Sequence, residues 1–268
     1  VDFALGTDCG GSVRCPASFS GIYGLRPTHD RVDPAGVAPL AGSFDVVGWF
    51  ARDARLFADV GDVLLDGNAR AIAPKRALVA LDAFSRMPDG EREVAAEAAH
   101  RAVEKLGLES LPIEVAAEGL DRWFDAFRHL QALEIWANHA EWVTEHAPSF
   151  GPGVKERFAY AATLTDADRA EHQPVREIAR ARVQELLGDG DAVIVMPTAP
   201  VSPKRDASNA EVEDFRARTM GLTCISGLSG CPQMSLPLAD AGAPMGISLL
   251  AAHGGDESLL GMAVRLSS

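Results

Sequence analysis

Ala192-Val-Ile-Val-Met196, stopped by Pro197, is an unbroken apolar run with three β-branched side chains at its centre. A strand of this kind has no polar face to offer water, so it belongs in the middle of a sheet covered on both sides. The rest of the chain supplies strands and covers in alternation. Val1–Leu5, Gly21–Leu25, Val46–Phe50, Ala77–Leu81, Gln233–Leu238 and Met245–Ala251 read as strands, the last two joined by a polar hairpin at Ala239–Ala243. Val1–Leu5 is apolar enough to predict a buried strand. Asp53 caps a helix to about Leu65 with Leu56, Val60, Val63 and Leu64 on one face, and Glu91–Leu106 repeats apolar residues at three- and four-residue spacing. Leu120–His146, Asp166–Leu187, Glu211–Ile225 and Glu257–Leu266 read as further helices, and residues 29–43, rich in Pro, Gly and Ala, as loop. Strands alternating with helices predict an α/β fold, a sheet flanked by helices on both faces.

The chemistry concentrates in Leu5-Gly-Thr-Asp-Cys-Gly-Gly-Ser-Val-Arg-Cys-Pro-Ala17. Gly10 and Gly11 allow backbone angles that a β-carbon forbids and let a ligand approach the main chain. The N–H groups of Cys9, Gly10, Gly11 and Ser12 can then converge on one oxygen, beside the Ser12 hydroxyl. That is equipment for acyl transfer, which needs a nucleophile and donors for an oxyanion. A tight turn or an anion nest needs the same tripeptide. It is not a phosphate loop of the GxxxxGK[ST] kind, because no lysine follows.

The wider wording separates these readings. Phe3 to Ala17, with Gly21-Ile-Tyr-Gly-Leu-Arg-Pro-Thr28, resembles the signature of the amidase signature family of serine hydrolases. Three more segments are similar to that family in order: Ser43-Phe-Asp-Val-Val-Gly-Trp-Phe-Ala-Arg-Asp53, Asp191-Ala-Val-Ile-Val-Met-Pro-Thr-Ala-Pro200, and Ser226 to Pro237 followed by Pro244-Met-Gly-Ile-Ser-Leu249. Leu81 to Gly190 is unmatched. The segment from Ser43 is most similar to plant-type amidases that hydrolyse indole-3-acetamide. The resemblance implies a mixed sheet, Ser12 as acyl-forming nucleophile, a backbone oxyanion hole at Cys9, Gly10, Gly11 and Ser12, and loop support from Asp8 and Arg14. It implies no cofactor, no metal and a small-molecule amide substrate. The family's base is a lysine relayed through a cis-peptide serine, both upstream of the nucleophile. Neither has a counterpart here: Lys75, Lys105, Lys155 and Lys204 match no motif. The expectation is therefore the middle and C-terminal portion of a longer single domain, spanning 1–268 and lacking its N-terminal part. Such a chain would be inactive by itself.

Other residues compete less well. Ser12, His29 and Asp30 could form a triad, but neighbouring His and Asp side chains rarely orient one another. Trp123, Phe124, Phe127, Trp136 and Trp142 could line an aromatic acyl pocket, although helical spacing suits core packing better. Glu91, Arg92 and Glu93 read as a solvated first turn. The remaining histidines, His139 and His146 included, offer no metal spacing. A net charge of −13 argues against nucleic acid and an anionic membrane surface, and no apolar run reaches transmembrane length. The cysteines, Cys9, Cys15, Cys224 and Cys231, lack CxxC spacing and read as free thiols of a cytoplasmic protein. The oligomeric state is open, a homodimer included. Two other functions fit the same residues: an amidotransferase A-like subunit passing ammonia to a partner, and an inactive fragment serving as an interaction module.

Overall fold

The computed structural model describes residues 1–65, 72–151, 153–237 and 243–268. In chain order its elements are β1 (Phe3–Asp8), α1 (Arg14–Ser20), β2 (Tyr23–Arg26), β3 (Val46–Ala51), α2 (Ala54–Leu64), β4 (Arg76–Ala80), α3 (Leu81–Phe84), α4 (Asp89–Leu106), β5 (Glu109–Ile113), α5 (Leu120–His146), α6 (Val154–Ala161), α7 (Asp166–Leu187), β6 (Ala192–Pro197), α8 (Asn209–Ser229), β7 (Gln233–Pro237), β8 (Gly246–Leu250) and α9 (Asp256–Ser267). Among the described residues the strands form one mixed sheet, ordered β1-β3-β2-β7-β8-β6-β4-β5. β4 runs parallel to both β5 and β6, and the other pairings are antiparallel. The hairpin expected at 239–243 lies, except for Ala243, outside the described residues.

Helices cover both faces, as the apolar runs require. β6 is buried at every position and lies between β8 and β4. Alternation along β3 shows the two layers directly. Gly48 faces Val13, at the start of α1, while its neighbour Trp49 is fully buried the other way and donates its indole N–H to the Phe57 carbonyl of α2 at 3.0 Å. α2 packs on α9, and α9 on α4, on that second side. α1 lies against β7 and β8, while α5, α7 and α8 pack on one another beyond it.

Two expectations need correction. The first strand is not buried: Phe3 and Leu5 are 47% and 54% exposed. β1 is an edge strand paired only with β3 among the described residues, so its apolar side chains have no cover. In α2 the buried residues are Ala54, Phe57, Val60 and Gly61, and Val63 is exposed. Gly61 is the cause. A β-carbon there would stand 2.3 Å from Leu260 Cδ1, so bare backbone admits α9 and rotates the packed face away from Val63.

Candidate active site

β1 ends at Asp8 and α1 begins at Arg14, so Cys9–Val13 form the turn between them. Asp8 organises this turn from below. Its carboxylate accepts from the N–H groups of Gly11 (2.8 Å), Val13 (3.1 Å) and Arg14 (3.3 Å). It also takes both Nε (3.0 Å) and Nη2 (2.8 Å) of Arg14, a forked pair with neither side chain exposed. Burial alone would raise the Asp8 pKa. The Arg14 and Arg26 guanidiniums and the Gly11 N–H outweigh it and hold the carboxyl well below the usual carboxylate range. Arg26 of β2 donates to the Asp8 carbonyl at 2.6 Å, and burial pushes its own pKa down to about 10, still charged at neutral pH.

The turn is tied to the sheet and to the outer helices as well. Arg14 Nη1 donates to the Thr223 carbonyl of α8 (2.9 Å) and to Gln233 Oε1 of β7 (2.5 Å). From Gln233 a buried chain continues through Ser248 Oγ (2.9 Å) to Thr198 Oγ1 (2.8 Å). Thr223 Oγ1 donates to the Gly10 carbonyl at 2.8 Å, and Gln131 of α5 donates to Cys9 Sγ at 3.0 Å. Gly11 has φ +119°, and a β-carbon there would meet Cys15 Sγ at 2.8 Å and Thr223 Cγ2 at 3.0 Å. Conformation and space both demand glycine.

Ser12 caps this buried assembly and is itself exposed, its hydroxyl without a hydrogen bond among the described residues. Three of the four amides expected to hold an oxyanion are open in the same sense: Cys9, Gly10 and Ser12 N–H make no hydrogen bond among the described residues. Gly11 N–H is already given to Asp8. The four-donor expectation therefore narrows to three, because the hydrogen bond that shapes the turn points the fourth inward.

The other candidates separate. His29 and Asp30 do meet, Nδ1 to Oδ2 at 3.1 Å, contrary to the expectation for sequence neighbours. His29 Nε2 faces the Gly42 carbonyl at 2.9 Å and must donate to it, so neither ring nitrogen is left for Ser12. All four lysines are exposed, so none sits in the buried surroundings that the family's base occupies. The four cysteines are free and buried. Burial pushes the thiols of Cys15 and Cys224 up to about 12 and that of Cys231 to about 11.

The aromatic helix divides. Trp123 and Phe127 are fully buried, and Phe127 with Met220 stands 3.6 Å from where a Gly10 β-carbon would be. Trp136 instead borders a cavity of 460 Å³ with Val143, Phe150, Lys155 and Phe158. Trp136 lies five residues beyond Gln131, about 140° round the helix. That cavity thus opens on the side of α5 away from the glycine turn. A further group was not foreseen. Asp125, His129 and His172 bring one donor atom each to within 4.8 Å of one another. The Asp125–His129 spacing, one helical turn, was the available signal; the approach of His172 is purely tertiary.

An exposed serine on a braced glycine turn at the end of a sheet strand, beside N–H groups that make no hydrogen bond among the described residues, has the parts that acyl transfer needs. The chain belongs to the amidase family, whose model, described as Amidase, matches residues 1–260. It is 34% identical to Amidase 1 of Arabidopsis thaliana, covering 100% of this chain and 70% of that protein. It is 31% identical to "Outer envelope protein 64, mitochondrial" of the same plant, over 97% of this chain and 48% of that protein. A solved structure titled "Crystal structure of amidase" superposes with a TM-score of 0.85 at 26% identity, over 99% of this chain and 62% of that one. The expected amidase signature fold is thereby confirmed. The cytoplasmic expectation is corrected: relatives that match nearly the whole chain include outer envelope proteins, so free thiols and membership of this family fix no compartment. Among the described residues no helix is long and apolar enough to cross a membrane.

Proposed function

We propose that this chain carries the nucleophile and oxyanion donors of an amidase that hydrolyses a small carboxamide to the acid and ammonia. One observation carries the reading: Ser12 stands exposed on a turn braced by the buried Asp8 and Arg14, and the Cys9, Gly10 and Ser12 N–H groups make no hydrogen bond among the described residues. Ser12 Oγ attacks the amide carbon, the carbonyl electrons move onto oxygen, and the open amides receive that charge, each worth about 3 kcal/mol in the transition state. Collapse of the adduct expels the amine as ammonia, which requires a returned proton because an unprotonated amide nitrogen leaves poorly. Water then releases the acid and frees Ser12. The four exposed lysines are not the base of this proposal. An aryl acetamide such as indole-3-acetamide is the favoured substrate. Two features support it: the segment from Ser43 to Asp53, and the apolar side chains of Phe127 and Met220 beside Gly10. Asp8 and Arg14 hold the turn and touch no substrate.

The test is labelling of the full-length protein with a fluorophosphonate, together with ammonia release from indole-3-acetamide. Ser12→Ala is expected to abolish both. Undiminished labelling in that variant would sink the assignment, and release from other amides alone would sink the substrate.

A further inference from the structure

Asp125 and His129 sit one turn apart on α5 and so share a face, while His172 reaches them from α7. The three donor atoms lie within 4.8 Å of one another. His172 is buried and the other two are partly covered, which separates this group from ordinary surface histidines. Asp125 and His129 lie six and two residues before Gln131, about 120° and 160° round the helix from it, on the side of α5 away from the glycine turn.

The protonation pattern suits a ligand. His129 Nδ1 faces the Asp125 backbone carbonyl at 2.8 Å. A carbonyl only accepts, so Nδ1 carries the proton and Nε2 keeps its lone pair. Metal-binding histidines are oriented in this way, the far nitrogen tied to a carbonyl or carboxylate. Arg128 Nη2 occupies Asp125 Oδ1 at 3.0 Å, and Asp125 Oδ2 is turned toward His172 Nε2 at 4.0 Å. Tyr160 of α6 lies edge-on to His129, ring centroids 5.8 Å apart, and its hydroxyl is buried with no partner among the described residues. A metal-bound water would give that hydroxyl one.

We infer that Asp125, His129 and His172 form a binding site for a divalent metal of the zinc class, clamping α5 to α7. Two imidazoles and one carboxylate suit zinc; magnesium and calcium prefer all-oxygen sets, and copper(I) prefers sulfur. In the structure the two rings stack, with centroids 3.9 Å apart and planes at 19°. A metal lies in the plane of each imidazole it binds, so loading turns one ring. His172 is the ring free to turn, having no hydrogen bond among the described residues, whereas His129 is held at Nδ1. Zinc bonds near 2.0–2.1 Å set tetrahedral donors roughly 3.3 Å apart, so loading draws the group together. Its place away from Ser12 makes it a brace for the helices rather than a part of acyl transfer.

Chelator-stripped protein is titrated with Zn²⁺ by calorimetry and with Co²⁺ by visible absorption. The expected result is one equivalent bound, a cobalt d–d band, and a higher thermal midpoint with zinc. His172→Ala and Asp125→Asn should each weaken binding at least tenfold, and His139→Ala, outside the cluster, should not. His172→Gln keeps the side-chain bulk, and circular dichroism shows that each variant is folded. Binding that survives in folded His172→Gln and Asp125→Asn, or falls equally in His139→Ala, overturns the site, as does no zinc binding by the wild type. Each readout is independent of Ser12.

Discussion

Asp8 decides the conformation of the site more than the nucleophile does. Its carboxylate replaces water with three backbone amides and one forked guanidinium, all buried. Asp8→Asn removes the charge and leaves Arg14 and Arg26 buried beside a neutral amide. Loss of one partner of a buried pair costs about 3–5 kcal/mol, to be read from urea unfolding at pH 7. The pH dependence has a fixed sign. The Asp8 pKa is lower folded than unfolded, so its contribution is complete above the unfolded value near 4 and fades as pH falls below it. The acid limb of stability against pH should therefore be shallower in Asp8→Asn than in the wild type; equal slopes would show that Asp8 titrates normally. At this scale the sequence was partly readable. Cys9 to Ser12 announced a turn and Asp8 with Arg14 its bracing, because each sits within six residues of the others. What it hid was that the bracing itself takes Gly11 N–H, and that Thr223 and Gln233, more than two hundred residues away, complete the cradle.

At the scale of elements, periodicity succeeded where helices were long and strands were buried. α5 and α7 run from Leu120 to His146 and from Asp166 to Leu187, as their spacing predicts, the latter passing straight through Pro174. Three short elements left too little pattern: α3, α6 and β5. β5 carries Pro112, which the strand tolerates because it lies at the sheet edge, where one side needs no ladder bonds. α2 shows the opposite case, a correct helix with a wrong face. Its start followed from local chemistry, Asp53 Oδ1 accepting from Arg55 and Leu56 N–H at 2.9 Å each. Its buried stripe depended on the Gly61–Leu260 contact with a distant helix. The cap gives a clean test: Asp53→Ala should cost about 1 kcal/mol in urea unfolding with an unchanged m-value. A loss near zero would mean that packing on α9 alone holds the helix start.

Two opposing properties set the behaviour of the whole molecule in solution. The net charge of −13 keeps copies apart, and its reach is about 10 Å at 0.1 M salt. Against it stands β1, an edge strand with Phe3 and Leu5 exposed and one side unpaired among the described residues. Unpaired N–H and C=O groups flanked by apolar side chains are a template for another strand. Short-range pairing survives screening and long-range repulsion does not, so repulsion wins at low salt and pairing gains as salt rises. Light scattering should accordingly show this 268-residue chain self-associating more at 0.5 M than at 0.05 M sodium chloride. Leu5→Lys places a charge on the edge itself, where only another chain would have to desolvate it, and should suppress the salt-induced association with little change in unfolding midpoint. Association that persists unchanged in Leu5→Lys would locate the contact on another surface, the exposed Trp142 beside the α5–α6 cavity being the next to replace.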